Sequence, residues 1–306
     1  MAWYLSDPVD VEAHNAAVNE VWDAYRAGRP TRVPVAVGGS IRNYIQNPGL
    51  NRSGYTFADF FQDPEAQIRC QLEYQHWCRH HLLCDHQMGL PEGGWSLSVD
   101  FQNSLDAGFL GCPLALDGNV VPDTVEILRS DKRRLYRMET PDPLRGGLMA
   151  RALEFWDYMV DRCAGLEFHG LPVHPPAALP GEGCDGPLSA AYKLRGAAEV
   201  CLDMVDDPAY FHDLMEFVTN ALIARMRALR EWRWARFPQA ADRSQYRRPG
   251  FFFADDAIVL LSVEQYRRFV YPYHERLVEQ FSDGGPTGVH LCGDAARFFR
   301  LLRDEL

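Results

Sequence analysis

Short apolar runs alternate with longer helical stretches along this chain, and the run near residue 250 constrains the fold most. Residues Phe251–Ala254 are all apolar and are followed by two aspartates, Asp255 and Asp256. A short, continuous apolar run is typical of a parallel strand that is buried on both faces. The next segment, Ser262–Gln265, fits a capping box at the start of a helix. A buried strand, a polar end and a helix form the repeating unit of parallel α/β folds.

The same alternation is visible in the rest of the chain. Helical patterns lead up to Arg26, follow Asp63 and span about residues 147–164, and strand patterns occur at Arg32–Val37, Trp95–Phe101 and Leu166–His169. Strands that alternate with helices over 306 residues favour a (β/α)8 TIM barrel. We therefore predict one barrel domain over residues 1–306, with residues 1–30 as an N-terminal helical extension.

Composition excludes several classes of protein. The formal net charge of −11 argues against a basic nucleic-acid-binding face. No apolar run approaches the roughly 20 residues of a membrane span, and the first residues carry no secretory signal pattern. We expect a cytoplasmic protein that binds neither nucleic acid nor membrane, and its eight scattered cysteines are expected to be free thiols.

A His-x-Cys pair near the end of the chain is the strongest chemical signal. His290 and Cys292 follow the turn-forming segment Gly284–Gly288. Residues two apart in a strand share a face, so the imidazole and the thiol would lie side by side. Both are ligands that Zn²⁺ prefers, although a zinc site needs at least three protein ligands. A buried cysteine that acts as a small hydrophobe is the alternative.

Several segments together resemble the uroporphyrinogen decarboxylase superfamily. The segments are Phe253–Asp256, Ser262–His274, Gly288–Gly293, Gly186–Ala191 and Leu194–Gly196, and the resemblance covers roughly residues 165–306. It implies a TIM barrel of the uroporphyrinogen decarboxylase type. The His-x-Cys pair resembles the branch of zinc-dependent corrinoid methyltransferases, which implies an enzyme of one-carbon metabolism.

That branch implies a specific chemistry. His290 and Cys292 would bind Zn²⁺, and the zinc would hold a small thiol substrate as a thiolate. The thiolate would attack the methyl group of methylcobalamin, a methylated corrinoid supplied by a partner corrinoid protein. The oligomeric state, the methyl donor and the thiol acceptor stay open.

Two alternatives stand beside this hypothesis. The first is decarboxylation of a tetrapyrrole, which is disfavoured because residues 38–44 contain one arginine, Arg42, where true decarboxylases carry an arginine-rich stretch. The second is a non-catalytic barrel that docks a corrinoid protein. The branch also takes its third zinc ligand from a cysteine far downstream of the pair, whereas this chain stops fourteen residues after Cys292. We therefore expect a C-terminally truncated barrel that lacks its last strands, with uncertain activity.

Other polar residues follow predicted strands. Asp255 and Asp256 are predicted catalytic groups, acting as pocket residues or as supports for the metal, with helix or loop capping as the alternative. Asp100, Asn103 and His169 are predicted to line the cofactor pocket, with a partly buried, hydrogen-bonded histidine as the alternative for His169. The densest set of ligand residues, between His76 and His86, fits an ordinary amphipathic helix better than a metal site.

Overall fold

The computed structural model describes residues 8–117, 120–236, 251–282 and 284–306. Contacts divide the chain into two compact units. The first unit comprises residues 1–99, 116–121 and 155–177, and the second comprises residues 100–115, 122–154 and 178–306. The prediction of one barrel domain with a helical extension stays a prediction.

Helices are the main regular elements of the described chain. In chain order they are α1 Val11–Arg26, α2 Ile41–Ile45, α3 Phe57–Gln62, α4 Pro64–His81, α5 Leu105–Phe109, α6 Leu148–Arg162, α7 Pro187–Arg195, α8 Ala197–Asp206, α9 Pro208–Arg236, α10 Val263–Phe269, α11 Tyr271–Phe281 and α12 Phe299–Glu305. The strands are β1 Trp95–Ser96, β2 Leu114–Ala115, β3 Asp123–Thr124, β4 Glu167–Phe168, β5 Leu171–His174, β6 Phe251–Ala254 and β7 Thr287–His290. Short 3₁₀ turns occur at Gln102–Ser104, Lys132–Arg137, Asp256–Leu260 and Ala296–Phe298.

The first unit contains a small mixed sheet. Strand β1 pairs with β5 in parallel, and β5 pairs with β4 as an antiparallel neighbour. One apolar cluster covers this sheet and joins it to helical side chains, and its buried members are Ile68, Leu72, Trp95, Leu97, Met159, Cys163 and Val173. The indole nitrogen of Trp95 donates to the Phe168 carbonyl at 2.8 Å, so the largest buried side chain of the cluster also has its polar atom satisfied.

The strand predicted at Arg32–Val37 is wrong, because this segment is irregular in the structure. Two of its backbone bonds go to Asp85 instead of a neighbouring strand: the Val35 amide donates to the Asp85 carboxylate at 2.6 Å, and the Asp85 amide donates to the Val35 carbonyl at 2.8 Å. Val33 and Val35 remain 71% and 59% exposed. The alternating valines thus have the sequence of a strand, but the described residues provide no partner strand for them.

The second unit contains the parallel pair β6 and β7, in which Phe251 lies opposite Thr287 and Ala254 opposite His290. Phe251 and Phe253 are buried and pack on α11, where the Phe253 ring lies 4.8 Å from the imidazole of His274. Phe252 is 63% exposed, so the expectation of a strand buried on both faces is wrong. Helix packing covers the face of Phe251 and Phe253, and Phe252 points to the opposite face.

Local sequence signals set the helices after β6. The Ser262 hydroxyl accepts from the Gln265 amide, and the Gln265 side chain accepts from the Ser262 amide, which confirms the predicted capping box. Helix α10 ends at Phe269, and α11 begins at Tyr271 with Pro272 in its first turn. Proline has no amide hydrogen for a continuing helix, so it divides the two helices.

The mixture of helices and strands is confirmed, whereas a closed barrel is not visible in the described strands. Within the described ranges, the strands form three separate sheets, ordered β1-β5-β4, β2-β3 and β6-β7. A complete ring of eight parallel strands therefore stays a prediction.

Candidate functional site

The carboxyl ends of β6 and β7 bring the predicted catalytic and metal-binding residues together. Because the two strands are parallel and Ala254 lies opposite His290, Asp255, Asp256 and Cys292 emerge at the same edge as His290. The Asp255 amide donates to the His290 carbonyl at 3.1 Å, which extends the strand pairing by one bond. The carboxyl edge of parallel strands is where α/β folds place their chemistry.

Asp255 is fully buried, and both of its carboxylate oxygens accept hydrogen bonds. Oδ1 accepts from the Ser189 amide at 2.9 Å and from the Ser189 hydroxyl at 2.7 Å. Oδ2 accepts from the Leu188 amide at 3.0 Å and lies 2.8 Å from His274 Nε2. Asp255 therefore fastens the first turn of α7 and the buried face of α11 to the end of β6.

The buried network continues from Asp255 through His274 to Tyr266. The Tyr266 hydroxyl lies 3.0 Å from His274 Nδ1, and all three side chains are buried. Burial, and next to it the charge of Asp255, raises the pKa of the Tyr266 phenol. Tyr266 is thus a neutral hydrogen-bonding group at ordinary pH, and the network gives the site a rigid floor.

Sequence reasoning gave His274 and Tyr266 no role. His274 lies one residue after Tyr273 and three before Leu277, on the apolar face of α11. A histidine on the buried face of an amphipathic helix needs a hydrogen-bond partner inside the protein. The position of His274 on the apolar face of α11 was therefore the sequence signal for a buried hydrogen-bond network.

Asp256, His290 and Cys292 form the exposed part of the site. His290 Nε2 lies 3.2 Å from Cys292 Sγ and 3.8 Å from Asp256 Oδ1. The Cys292 amide donates to Asp256 Oδ1 at 2.6 Å. About half of the side-chain surface of Asp256 and His290 is exposed, 47% and 53% respectively. Asp255 is closed off in the protein interior, whereas these three residues are open to solvent.

The charge of Asp256, followed by its hydrogen bond, raises the pKa of the Cys292 thiol. A thiol beside a carboxylate is a poor free nucleophile, because the negative charge disfavours the thiolate. A bound cation reverses this effect, since it stabilises the thiolate and releases the proton. The local charges thus favour a metal ligand over a free catalytic cysteine.

The spacing of the two predicted ligands fits zinc. Bond lengths of about 2.3 Å for Zn–S and about 2.0 Å for Zn–N in a tetrahedron place neighbouring ligand atoms about 3.5 Å apart. The separation between His290 Nε2 and Cys292 Sγ is 3.2 Å. Cys292 lies beyond the end of β7, yet the side chains still converge as the predicted two-residue spacing required.

The predicted cofactor-pocket residues lie elsewhere. Asp100 is half-buried and accepts from the Gln102 amide at 2.7 Å, and Asn103 is exposed in the adjoining 3₁₀ turn. His169 is exposed, has a φ of 50° and stacks on His76 at 4.0 Å between ring centroids. Asp100 and Asn103 belong to the second unit and His169 to the first, so their shared role in cofactor binding stays a prediction.

The other set of histidines and cysteines forms no comparable group. Within the described ranges, Asp256, His290 and Cys292 are the group of His, Cys, Asp or Glu residues whose ligand atoms lie close enough to share a metal ion, within 4.8 Å of one another. His76 and His80 lie on α4 and stack at 4.1 Å between ring centroids. This agrees with the expected helix.

No helix in the described ranges has both the length and the apolar composition needed to cross a membrane.

Two known methyltransferases are similar to this chain. A methylated-thiol–coenzyme M methyltransferase from Methanosarcina mazei is 26% identical over 208 residues, which cover 67% of this chain and 48% of the relative. The chain thus spans about half the length of this curated relative. A solved methyltransferase structure from Methanosarcina mazei matches 94% of this chain and 73% of its own with a TM-score of 0.55, and at 14% identity it shows a shared fold.

A family match identifies the chain more firmly than either relative. Residues 105–305 match the family described as uroporphyrinogen decarboxylase (URO-D). The match includes the parallel pair of β6 and β7 and all of the residues converging at its carboxyl edge, and it confirms the resemblance found in the sequence. This chain belongs to the uroporphyrinogen decarboxylase family.

Proposed function

We propose that this protein catalyses zinc-dependent methyl transfer from a methylated corrinoid to a thiol, with His290 and Cys292 as zinc ligands. The observation that carries the proposal is the 3.2 Å approach of His290 Nε2 to Cys292 Sγ at an exposed strand end. A nitrogen and a sulfur ligand beside open solvent leave room for a substrate to join the coordination sphere, as catalytic zinc sites require.

Zinc, when bound, would hold the substrate sulfur as a thiolate at neutral pH. The residues of this chain would fix the ligands. The His290 carbonyl is tied to the Asp255 amide at 3.1 Å, and the Cys292 amide is tied to Asp256 at 2.6 Å. We assign Asp255 a positioning role, because its buried carboxylate already accepts bonds from α7 and lies beside His274.

The reaction forms one S–CH₃ bond and breaks one Co–CH₃ bond, and the electron pair of the broken bond stays on cobalt. No proton moves in that step, so in-line positioning contributes more than acid–base catalysis. A partner corrinoid protein would supply the methyl donor, and Asp100, Asn103 and His169 are proposed cofactor-binding residues. The name of the 26% identical relative supports a thiol acceptor.

The proposed setting is a (β/α)8 barrel of the family type. The parallel pair of β6 and β7, with polar residues at its carboxyl edge, is consistent with two adjacent barrel strands. We place the proposed zinc at that edge.

Zinc stoichiometry after exhaustive dialysis tests the proposal, with the wild-type chain beside a His290→Ala/Cys292→Ala double variant. We expect about one zinc per wild-type chain and none in the double variant. Methylcobalamin and coenzyme M then serve as probes of transfer, and we expect methylated thiol from the zinc-loaded wild type alone.

Two rivals predict different results. Tetrapyrrole decarboxylation, the activity in the family's description, would release CO₂ from a porphyrinogen without zinc. A non-catalytic docking barrel would bind a corrinoid protein and transfer no methyl group. A zinc-free wild-type chain overturns our proposal, and a zinc-loaded chain that transfers no methyl group overturns its catalytic half.

A further inference from the structure

We infer that Asp256 is the third protein ligand of the metal, which completes a nitrogen, sulfur and oxygen donor set with His290 and Cys292. This inference rests on the proposed metal site. A catalytic zinc site needs three protein ligands, so the pair needs a third residue. Asp256 directly follows Asp255 at the end of β6 and lies beside the pair.

The position of Asp256 relative to the His290 imidazole shows whether Asp256 would bind the metal itself or only hydrogen-bond to a metal-bound histidine. A residue that supports a metal-bound histidine accepts a hydrogen bond from the ring nitrogen that does not bind the metal. Asp256 Oδ1 instead lies 3.8 Å from His290 Nε2, the nitrogen that also faces Cys292 Sγ at 3.2 Å. The carboxylate and the thiol therefore converge on one nitrogen, as two ligands around a shared ion would.

The distances suit an ion at the centre of the three atoms. Two ligands at about 2.0 Å from a tetrahedral zinc lie about 3.3 Å apart, and a sulfur and a nitrogen ligand lie about 3.5 Å apart. The separations of 3.8 Å for oxygen and nitrogen and 3.2 Å for nitrogen and sulfur lie close to these values. A separation of 3.8 Å is also too long for a direct hydrogen bond between Asp256 and His290.

The backbone holds Asp256 in place. The Cys292 amide donates to Oδ1 at 2.6 Å, so the carboxylate is fixed relative to Cys292. This bond links the ends of β6 and β7 at the position where the ion would bind. A carboxylate fixed by the peptide of a neighbouring ligand loses little conformational freedom on metal binding.

The donor set has chemical consequences. One thiolate and one carboxylate neutralise the two charges of Zn²⁺, and three protein ligands leave a fourth position for the substrate thiol. Oxygen is a harder donor than sulfur, so the site would also accept Co²⁺ or Mn²⁺ more readily than a site with two thiolates. The substrate sulfur would be the second sulfur in the coordination sphere.

Competition titration with a chromophoric chelator tests the inference through zinc affinity alone, on the full chain. In Asp256→Asn the amide oxygen still accepts from the Cys292 amide, but the charged ligand is lost. We expect zinc affinity to fall about 100-fold or more, beyond the range of about 10- to 100-fold for a supporting partner. Asp294→Asn removes an equal charge from a nearby exposed residue, and we expect a change within about threefold.

Cobalt spectroscopy gives the second readout. With Co²⁺ in place of zinc, the wild type and Asp256→Asn should both show a sulfur-to-metal charge-transfer band, because Cys292 remains. Their visible bands should differ, because an oxygen ligand has changed. Equal zinc affinities for the wild type, Asp256→Asn and Asp294→Asn, with weaker binding by Cys292→Ala, would overturn Asp256 as a ligand and keep the proposed metal site. If the wild-type chain binds neither metal, the proposed metal site fails, and the inference fails with it.

Discussion

Replacing Asp255 by asparagine should destabilise the protein by about 3 kcal/mol, because this buried carboxylate is surrounded by hydrogen-bond donors. Oδ1 accepts from the Ser189 amide and hydroxyl, and Oδ2 accepts from the Leu188 amide and lies 2.8 Å from His274 Nε2. Asparagine has nearly the same shape as aspartate, but it offers one oxygen and one NH₂ group. The substitution thus changes hydrogen bonding with little change in packing.

The magnitude follows from the count of donors. If the amide oxygen takes the place of Oδ1, both bonds to Ser189 survive in weaker, uncharged form, and the NH₂ group faces His274 and the Leu188 amide. The imidazole can accept through Nε2 after a change of tautomer, but a backbone amide cannot accept. One buried donor is left unsatisfied, which costs about 1–3 kcal/mol, and charge-assisted bonds are about twice as strong as neutral ones.

Urea unfolding of the metal-free protein, followed by far-ultraviolet circular dichroism, measures the change. Asp294→Asn serves as the control, because an exposed substitution should change the free energy of unfolding by less than about 0.5 kcal/mol. If Asp255→Asn loses no more stability than this control, the Asp255 carboxylate does not hold α7 and α11 to β6, and the positioning role assigned to it fails.

Two further perturbations probe the surroundings of Asp255. Burial, followed by the charges of Asp106 and Asp255, raises the pKa of Asp185 from 3.8 to about 7. The folded state therefore holds a proton that the unfolded state releases, and stability falls as pH rises from about 4 to 7. Asp185→Asn removes this pH-dependent loss of stability. The free energy of unfolding of the variant minus that of the wild type should therefore rise by about 3 kcal/mol between pH 5 and pH 8. Urea titrations measure this difference, and a difference that does not change with pH would contradict the raised pKa of Asp185. In Gly186→Ala, at a φ of 78°, the added Cβ would lie 2.4 Å from the Ala254 carbonyl oxygen, and we expect a loss of about 3 kcal/mol or more. Gly284→Ala, at a φ of 75° with no atom within 4 Å, should lose about 1 kcal/mol, and equal losses in thermal melts would show that backbone strain alone is responsible.

The parts of the fold that local chemistry determines could be predicted from the sequence. The capping box at Ser262 and the division of two helices near Pro272 need only short-range contacts, and both are present. The convergence of His290 and Cys292 also follows from local geometry, since residues two positions apart in an extended chain share a side.

Features that depend on distant partners could not be predicted in this way. The valines of Arg32–Val37 alternate as in a strand, but a strand forms only where a neighbouring strand pairs with its backbone. Here Asp85 bonds to the Val35 backbone instead. The continuous apolar run at Phe251–Ala254 does not reveal that Phe252 stays exposed. Burial of each face depends on which helices cover it, and that information lies outside the segment.

The contrasting surroundings of Asp255 and Asp256 show how two identical neighbours acquire different roles. Sequence reasoning treated them as one pair of pocket groups, because successive residues after a strand cannot be separated by composition. The strand alternation then directs one carboxylate inward, where donors from α7 and α11 surround it, and the other toward solvent beside His290 and Cys292. Both oxygens of the inward carboxylate accept hydrogen bonds inside the protein, whereas the outward carboxylate lies beside His290 and Cys292. The proposed chemistry therefore requires Asp256 for metal binding and Asp255 for the rigidity of the strand ends that carry the ligands.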